Sequence, residues 1–193
     1  MISFLRQAGA ALRLLVVLTL VLGVGYPVAV WAAGRIVADK ADGSFVEHDG
    51  EVVGSSLLGQ VTEGDEWFRP RPSVAGDGYD PRASGTSNLG PENVDLLASV
   101  EERRADVAER EGVDPALVPV DALTASGSGL DPHISPEYAW IQVPRVADAR
   151  GMDVDELAAL VEEHVAPRPL GILGEETVNV LELNIAVAEA DAS

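Results

Sequence analysis

From Leu14 to Gly34 the chain reads LLVVLTLVLGVGYPVAVWAAG, twenty-one residues with no formal charge. A bilayer hydrocarbon core of about 30 Å takes roughly 20 helical residues, so this run is long enough to cross it. Arg6, Arg13 and the terminal amine precede the run, and no acid occurs before Asp39. That excess of positive charge on the N-terminal side predicts the N-terminus inside and everything after the span outside. A cleaved signal peptide is the main rival reading, with Val30-Trp31-Ala32 as a passable cleavage site. Its apolar core would ordinarily be only about 7–15 residues, shorter than this one. A buried core helix is the third reading. Gly23, Gly25 and Pro27 weaken an isolated helix, but membrane spans tolerate them when freed backbone groups find partners. The domain boundaries expected are therefore 1–13 for a cytoplasmic tail, 14–34 for the span and 35–193 for an extracytoplasmic domain.

All 32 acidic residues lie after the span, against 11 of the 13 basic ones, so residues 35–193 carry a net charge of −21. Nucleic acid is excluded as a partner class, because phosphate binding needs clustered Lys and Arg. A separate attachment to anionic lipid is disfavoured for the same reason. Acid in such excess, with Arg preferred to Lys, suits a surface kept hydrated in strong salt and points to a halophilic source. There is no cysteine. The exported part must hold together by packing alone, and about 159 residues suffice for one core.

Within that part, Phe45-Val46 and Val52-Val53 flank Asp49-Gly50, the pattern of a small hairpin. Residues 59–91 are rich in Gly, Pro, Ser and Asn and show no period. Trp67, Phe68, Tyr79 and Leu89 are spaced through them as anchors, which predicts a long ordered loop of functional character. A helix is expected from Pro91 to about Arg110, burying Val94, Leu97, Ala98, Ala105 and Ala108. Ser135 and Pro136 read as the cap and first residue of another, which Pro144 should kink or interrupt. Asp153 with Glu156 caps a third, with Leu157, Leu160 and Val161 on one face. Val178, Leu181, Ile185 and Ala188 have the spacing of a packed C-terminal helix. The fold class expected is one transmembrane helix followed by a mainly α (α+β) extracytoplasmic domain with a small β element and long ordered loops.

Catalytic patterns are scarce. His48, His133 and His164 lack metal-ligand spacing. Asp131 beside His133, or Asp42 and Asp49 near His48, read more readily as polar turns than as cation sites. Neither a nucleophile elbow nor a phosphate-binding loop is present, and Ser126 lies near Asp131 and His133 only in sequence. The distinctive cluster is Trp67-Phe68-Arg69-Pro70-Arg71-Pro72. Its prolines limit the backbone freedom lost in presenting two arginines. Those arginines serve equally well as interface anchors or as partners for the domain's own acids.

Seven segments, Gly54–Gln60, Phe68–Ser73, Tyr79–Leu89, Thr124–Pro132, Ile134–Pro136, Gln142–Ala147 and Val178–Asn184, together resemble the C subunit of the Kdp potassium-transporting ATPase. The resemblance covers essentially the whole chain. It implies a non-catalytic accessory subunit, required for assembly and activity of a complex that imports K⁺ using ATP and Mg²⁺. The implied partners are a channel-like K⁺-translocating subunit, a P-type catalytic subunit and a further very small membrane subunit. The exported domain would lie over the outer side of the channel-like subunit. Family descriptions mention ATP binding and implicate a glutamine, for which Gln60 and Gln142 are the weak candidates. An exterior domain cannot reach cytoplasmic ATP, so no directly bound cofactor, metal or catalytic residue is expected. Trp67, Arg69, Arg71, Asn88, Gln142 and Arg145 become candidates for subunit contact or internal support, and Gly127 and Gly129 for close backbone approach in a scaffold. A membrane-tethered binding or sensory module and an anchored hydrolase are the alternative classes.

Overall fold

The computed structural model describes residues 2–191, which divide into two units at Ser44/Phe45. The first is a helical rod: α1 (Ile2–Leu20) and α2 (Tyr26–Gly34) joined through one π turn (Val21–Gly25), then a short 3₁₀ turn and α3 (Ala38–Ala41). Placing the π turn over Gly23 and Gly25, just before Pro27, lets the chain absorb the amide that proline lacks without ending the helix. Among the described residues this is the one helix long and apolar enough to cross a membrane. Its large side chains, from Leu12 to Trp31, are exposed within the unit, as a lipid-facing rod requires. Beyond it Arg35 pairs with Asp42 at 2.6 Å.

In the second unit, β1 (Phe45–His48) and β2 (Glu51–Ser55) form the expected antiparallel hairpin. Asp49 and Gly50 both adopt positive φ, 53° and 80°, as a two-residue turn of matching twist demands. No helix or strand follows until α4 (Val94–Glu111). Two 3₁₀ turns lead to β3 (His133–Ile134), α5 (Pro136–Arg150), α6 (Val154–Glu163), β4 (Val165–Ala166), β5 (Thr177–Asn179) and α7 (Val180–Asp191). The short strands form a second antiparallel sheet in the order β3-β5-β4. One apolar core is built from the faces of α5, α6 and α7, the end of α4 and this sheet, with Phe68 delivered to it by the long loop.

Local capping follows the expected chemistry. Asn93, Ser135 and Asp153 accept backbone N–H bonds at the starts of α4, α5 and α6. Gly112 and Gly151 end α4 and α5 at φ 66° and 68°.

Four expectations need correction. Helix α4 begins behind Asn93 rather than at Pro91, and of the five residues expected inside only Ala108 is buried. Val94 is 75% and Leu97 54% exposed, because α4 meets the core through Val107 and Ala108 near its end, with Glu111 buried beside them and Val100 only partly covered. Pro144 does not interrupt α5. It lies on the exposed face, while fully buried Ala139, Val146 and Ala147 hold the opposite face. That packing outweighs the roughly 3 kcal/mol a mid-helix proline costs. Val178 belongs to β5, and the core face of α7 is Val180, Leu183, Asn184 and Val187. The expected stripe of Leu181, Ile185 and Ala188 instead lines a groove of about 240 Å³ with His48, Gln60 and Trp67. Finally, Leu89 is 40% exposed and lies outside the core cluster; Phe68 and Ala75 are the hydrophobic residues of the loop that are fully buried.

Candidate functional site

The loop 59–91 is fixed by side chains that come from distant parts of the chain. A residue preceding proline is driven to extended backbone, so Pro70 and Pro72 straighten Arg69 and Arg71. An extended chain points the N–H and C=O of successive residues to opposite edges. Each edge here meets an amide side chain in place of a neighbouring strand. Asn184 of α7 accepts from the Phe68 N–H at 2.8 Å and donates to the Phe68 C=O at 2.9 Å. Gln142 of α5 accepts from the Arg69 N–H at 2.7 Å and donates to the Arg69 C=O at 3.2 Å. Gln142 is fully buried, and its remaining capacity goes to the Tyr138 C=O and to Arg145. Burial raises the Tyr138 phenol to a pKa of about 12.

Arg145 is the next node. Its guanidinium donates to Glu111 at 2.8 Å, to the carbonyls of Asp65 and Trp67, and to Gln142. The Glu111 carboxylate is completely buried and also accepts from Arg110 at 2.8 Å. Trp67 stacks under Arg150, whose guanidinium carbon lies 4.0 Å from the ring centroid. Arg150 further donates to the Glu66 carbonyl.

Farther along, Arg71 donates to the Thr124 carbonyl and pairs with Asp131 at 3.3 Å. The Ser73 hydroxyl donates to the Gly129 carbonyl at 2.6 Å, and the Tyr79 hydroxyl to the Arg71 carbonyl at 2.7 Å. Gly129 has φ 69°, and a β-carbon there would stand 2.8 Å from the Gly85 carbonyl oxygen. Gly127, expected to share that role, has open space around it. Gly85 and Ser84 both donate to the Ser128 carbonyl, Gly59 donates to the Leu130 carbonyl, and Asn179 donates to the Ser56 carbonyl. The segments around residues 54–60, 68–73, 79–89, 124–132, 142–147 and 178–184 thus form one hydrogen-bonded scaffold.

The two arginines of the FRPRPS segment both meet the domain's own acids: Arg69 lies 3.6 Å from Asp65, and Arg71 pairs with Asp131. Asn88 adopts φ 53° and donates to the Thr86 carbonyl on an exposed turn. Gln60 donates to the Val53 carbonyl, tying the loop to the hairpin. Asn184, Glu111 and Asp131 were not singled out by sequence as supports of this loop. Asn184 carried one signal, a polar residue on the core face of an apolar helix.

The Asp131 carboxyl is held below its ordinary pKa, first by the His133 side chain, 3.2 Å away, then by the His133 N–H and by Arg71, against the opposing effect of burial. A lowered acid stabilises the fold above the ordinary carboxylate range, and that contribution disappears as pH falls through the lowered value. Asp131→Asn is expected to flatten the acid limb of the stability curve below about pH 4. Urea midpoints of the full-length protein taken across pH 2–6 check this. The remaining titratable groups offer no metal-like cluster of three or more His, Asp or Glu among the described residues. Ser126 is engaged in its own turn, accepting from the Gly129 N–H at 3.0 Å.

A single membrane-length helix and a small helical domain with a braced loop define the class of a helix-anchored membrane protein. The family described as "K+-transporting ATPase, c chain" matches residues 8–189. The chain is 61% identical over 188 residues to the potassium-transporting ATPase KdpC subunit of Kineococcus radiotolerans, covering 97% of this chain and 96% of that one. It is 50% identical over 185 residues to the KdpC subunit of Mycobacterium bovis (94% and 97%), and 48% over 186 residues to that of Rhodospirillum rubrum (96% and 96%). The chain belongs to the C-subunit family of potassium-transporting ATPases.

Proposed function

We propose that this chain serves as the non-catalytic accessory subunit of a high-affinity, ATP-driven potassium import complex. Residues 14–34 span the cell membrane, residues 1–13 face the cytoplasm, and residues 35–193 form the extracytoplasmic domain. The domain stands over the outer side of a channel-like K⁺-translocating subunit, while a P-type subunit hydrolyses ATP with Mg²⁺; a very small membrane subunit completes the set. Full-length family membership supports the accessory role. The observation that carries the working part is the scaffold, since it braces the loop through Phe68 and Arg69 from α5 and α7 at once. A braced loop loses little conformational entropy when it docks, which is what a surface built for permanent assembly needs. Trp67, Arg69, Arg71, Asn88, Gln142 and Arg145 are assigned to this presentation, the buried Gln142 as a brace and the exposed Asn88 as a contact.

The test is gentle detergent purification of the tagged chain from potassium-starved cells, with K⁺-stimulated ATPase measured with and without it. Co-isolation of a channel-like and a P-type subunit, with turnover lost on deletion, is the expected result. A chain that purifies alone, and whose deletion leaves turnover intact, refutes the reading.

A further inference from the structure

The nine basic residues of the second unit are all arginines, set against thirty acids. Four of the nine, Arg69, Arg71, Arg103 and Arg110, line one groove of about 330 Å³ between the braced loop and α4. Asp106 is the only acid in its lining. Three of the arginines are partly neutralised within the domain: Arg69 by Asp65, Arg71 by Asp131 and Arg110 by Glu111. Arg103 donates one bond, at 2.9 Å, to the Leu123 carbonyl and forms no ion pair among the described residues. The Arg69 Nε is buried without a hydrogen-bond partner, the sole such side-chain atom among the described residues. That atom is closed to solvent, so a docked carboxylate would meet the part of the 30% exposed Arg69 guanidinium that remains accessible, and a guanidinium fork fits a carboxylate bidentately.

We propose that this groove is a docking site for an acidic peptide segment of a neighbouring subunit, one Asp or Glu carboxylate engaging Arg69 and Arg103. The inference rests on the accessory-subunit reading above. Two features favour a tethered carboxylate over a free anion. The groove is also lined by Pro70, Pro72 and Val107, which an aliphatic side-chain stem would cover and an inorganic anion would leave wet. The surrounding net charge of −21 lowers the local concentration of free anions. A segment carried by an assembled partner arrives at effective concentrations of order millimolar whatever that field.

The experiment places p-benzoyl-phenylalanine at Val61 or at Asp106, both on the groove wall, in the full-length chain co-expressed with its complex. After irradiation, cross-linked peptides are identified by mass spectrometry. The expected product joins this chain to a partner-subunit peptide bearing Asp or Glu at the cross-link. Adding R69Q and R103Q together should cut its yield on the order of tenfold, as the loss of about 1.4 kcal/mol of charge pairing does, and the double Lys variant should restore part of it. Neither variant removes the backbone bonds by which Gln142 holds Arg69, and the cross-link map in the unsubstituted background stands whether or not they fold. Cross-links only within this chain or to lipid, in a complex that still co-purifies, overturn the groove proposal alone. Displacement of the cross-link by millimolar phosphate or ATP overturns it in favour of a small-anion site. Absence of any co-purifying subunit strikes the accessory-subunit reading itself.

Discussion

Replacing Glu111 by alanine is expected to lower the unfolding free energy of the domain by about 3–5 kcal/mol, the usual cost of removing one partner from a buried ion pair. The carboxylate has no solvent exposure, and the Arg145 side chain facing it is 9% exposed. Two guanidiniums, from Arg110 and Arg145, converge on its two oxygens at 2.8 Å each. Without the carboxylate they are left close together, and Arg145, unlike the 24% exposed Arg110, has almost no water to compensate it. A domain of this size has a total stability of about 5–15 kcal/mol, so the loss takes much of it. Glu111→Gln keeps the volume and one acceptor and should lose less. Removing both charges, as Glu111→Leu with Arg145→Met, should recover part of the loss, because well-packed apolar pairs often match buried ion pairs. Recovery stays incomplete, since Arg145 also holds the Asp65 and Trp67 carbonyls. Urea unfolding of the full-length chain, followed by tryptophan fluorescence, measures each variant. An alanine variant within about 1 kcal/mol of the parent would mean that water enters this site and relieves the charges.

The parts of the fold legible in sequence are those decided within a few residues. Asp49-Gly50, Ser135-Pro136 and Asp153 each dictate a turn or cap by local hydrogen bonding, and each forms as expected. The long apolar helix was legible for a different reason, because membrane thickness imposes length and apolarity directly. What failed was decided elsewhere in the chain. Which face of α4 is buried depends on how far it overlaps α5, and an apolar count cannot supply that. Pro144 survives because of packing on the opposite face of α5. Strand β5 has three residues and strand β3 two, too few for an alternating pattern to appear. The candidate site shows the same division. Its segments are individually recognisable, yet their meeting is not encoded in spacing: Asn184 reaches Phe68 across 116 residues and Gln142 reaches Arg69 across 73. Glu111 stayed hidden because a charge on a helix is read as surface until its two arginines are placed.

The paired amides give the second large effect. Asn184→Leu removes both partners of the Phe68 backbone, whose bonds are buried, and Gln142→Met does the same to Arg69, whose bonds are partly buried. Each lost bond leaves a backbone group costing about 1–3 kcal/mol when water cannot reach it. Asn184→Leu is therefore expected to cost about 3–4 kcal/mol and Gln142→Met about 2–3, the smaller figure reflecting easier access of water to Arg69. The two should not add. Once either edge of the dipeptide is released, the loop can turn its freed groups toward solvent, and the second amide then holds less. A double variant at least about 1 kcal/mol less destabilised than the sum of the singles is the expected coupling. Hydrogen exchange supplies the separate local readout, with amides 64–73 losing protection in the single variants while those of α5 and α6 keep theirs. Strict additivity, with protection lost evenly across the domain, would make the amides ordinary core supports. Coupling confined to the loop would instead establish them as the device that holds it ready for a partner, and complex yield should then follow loop protection more closely than global stability.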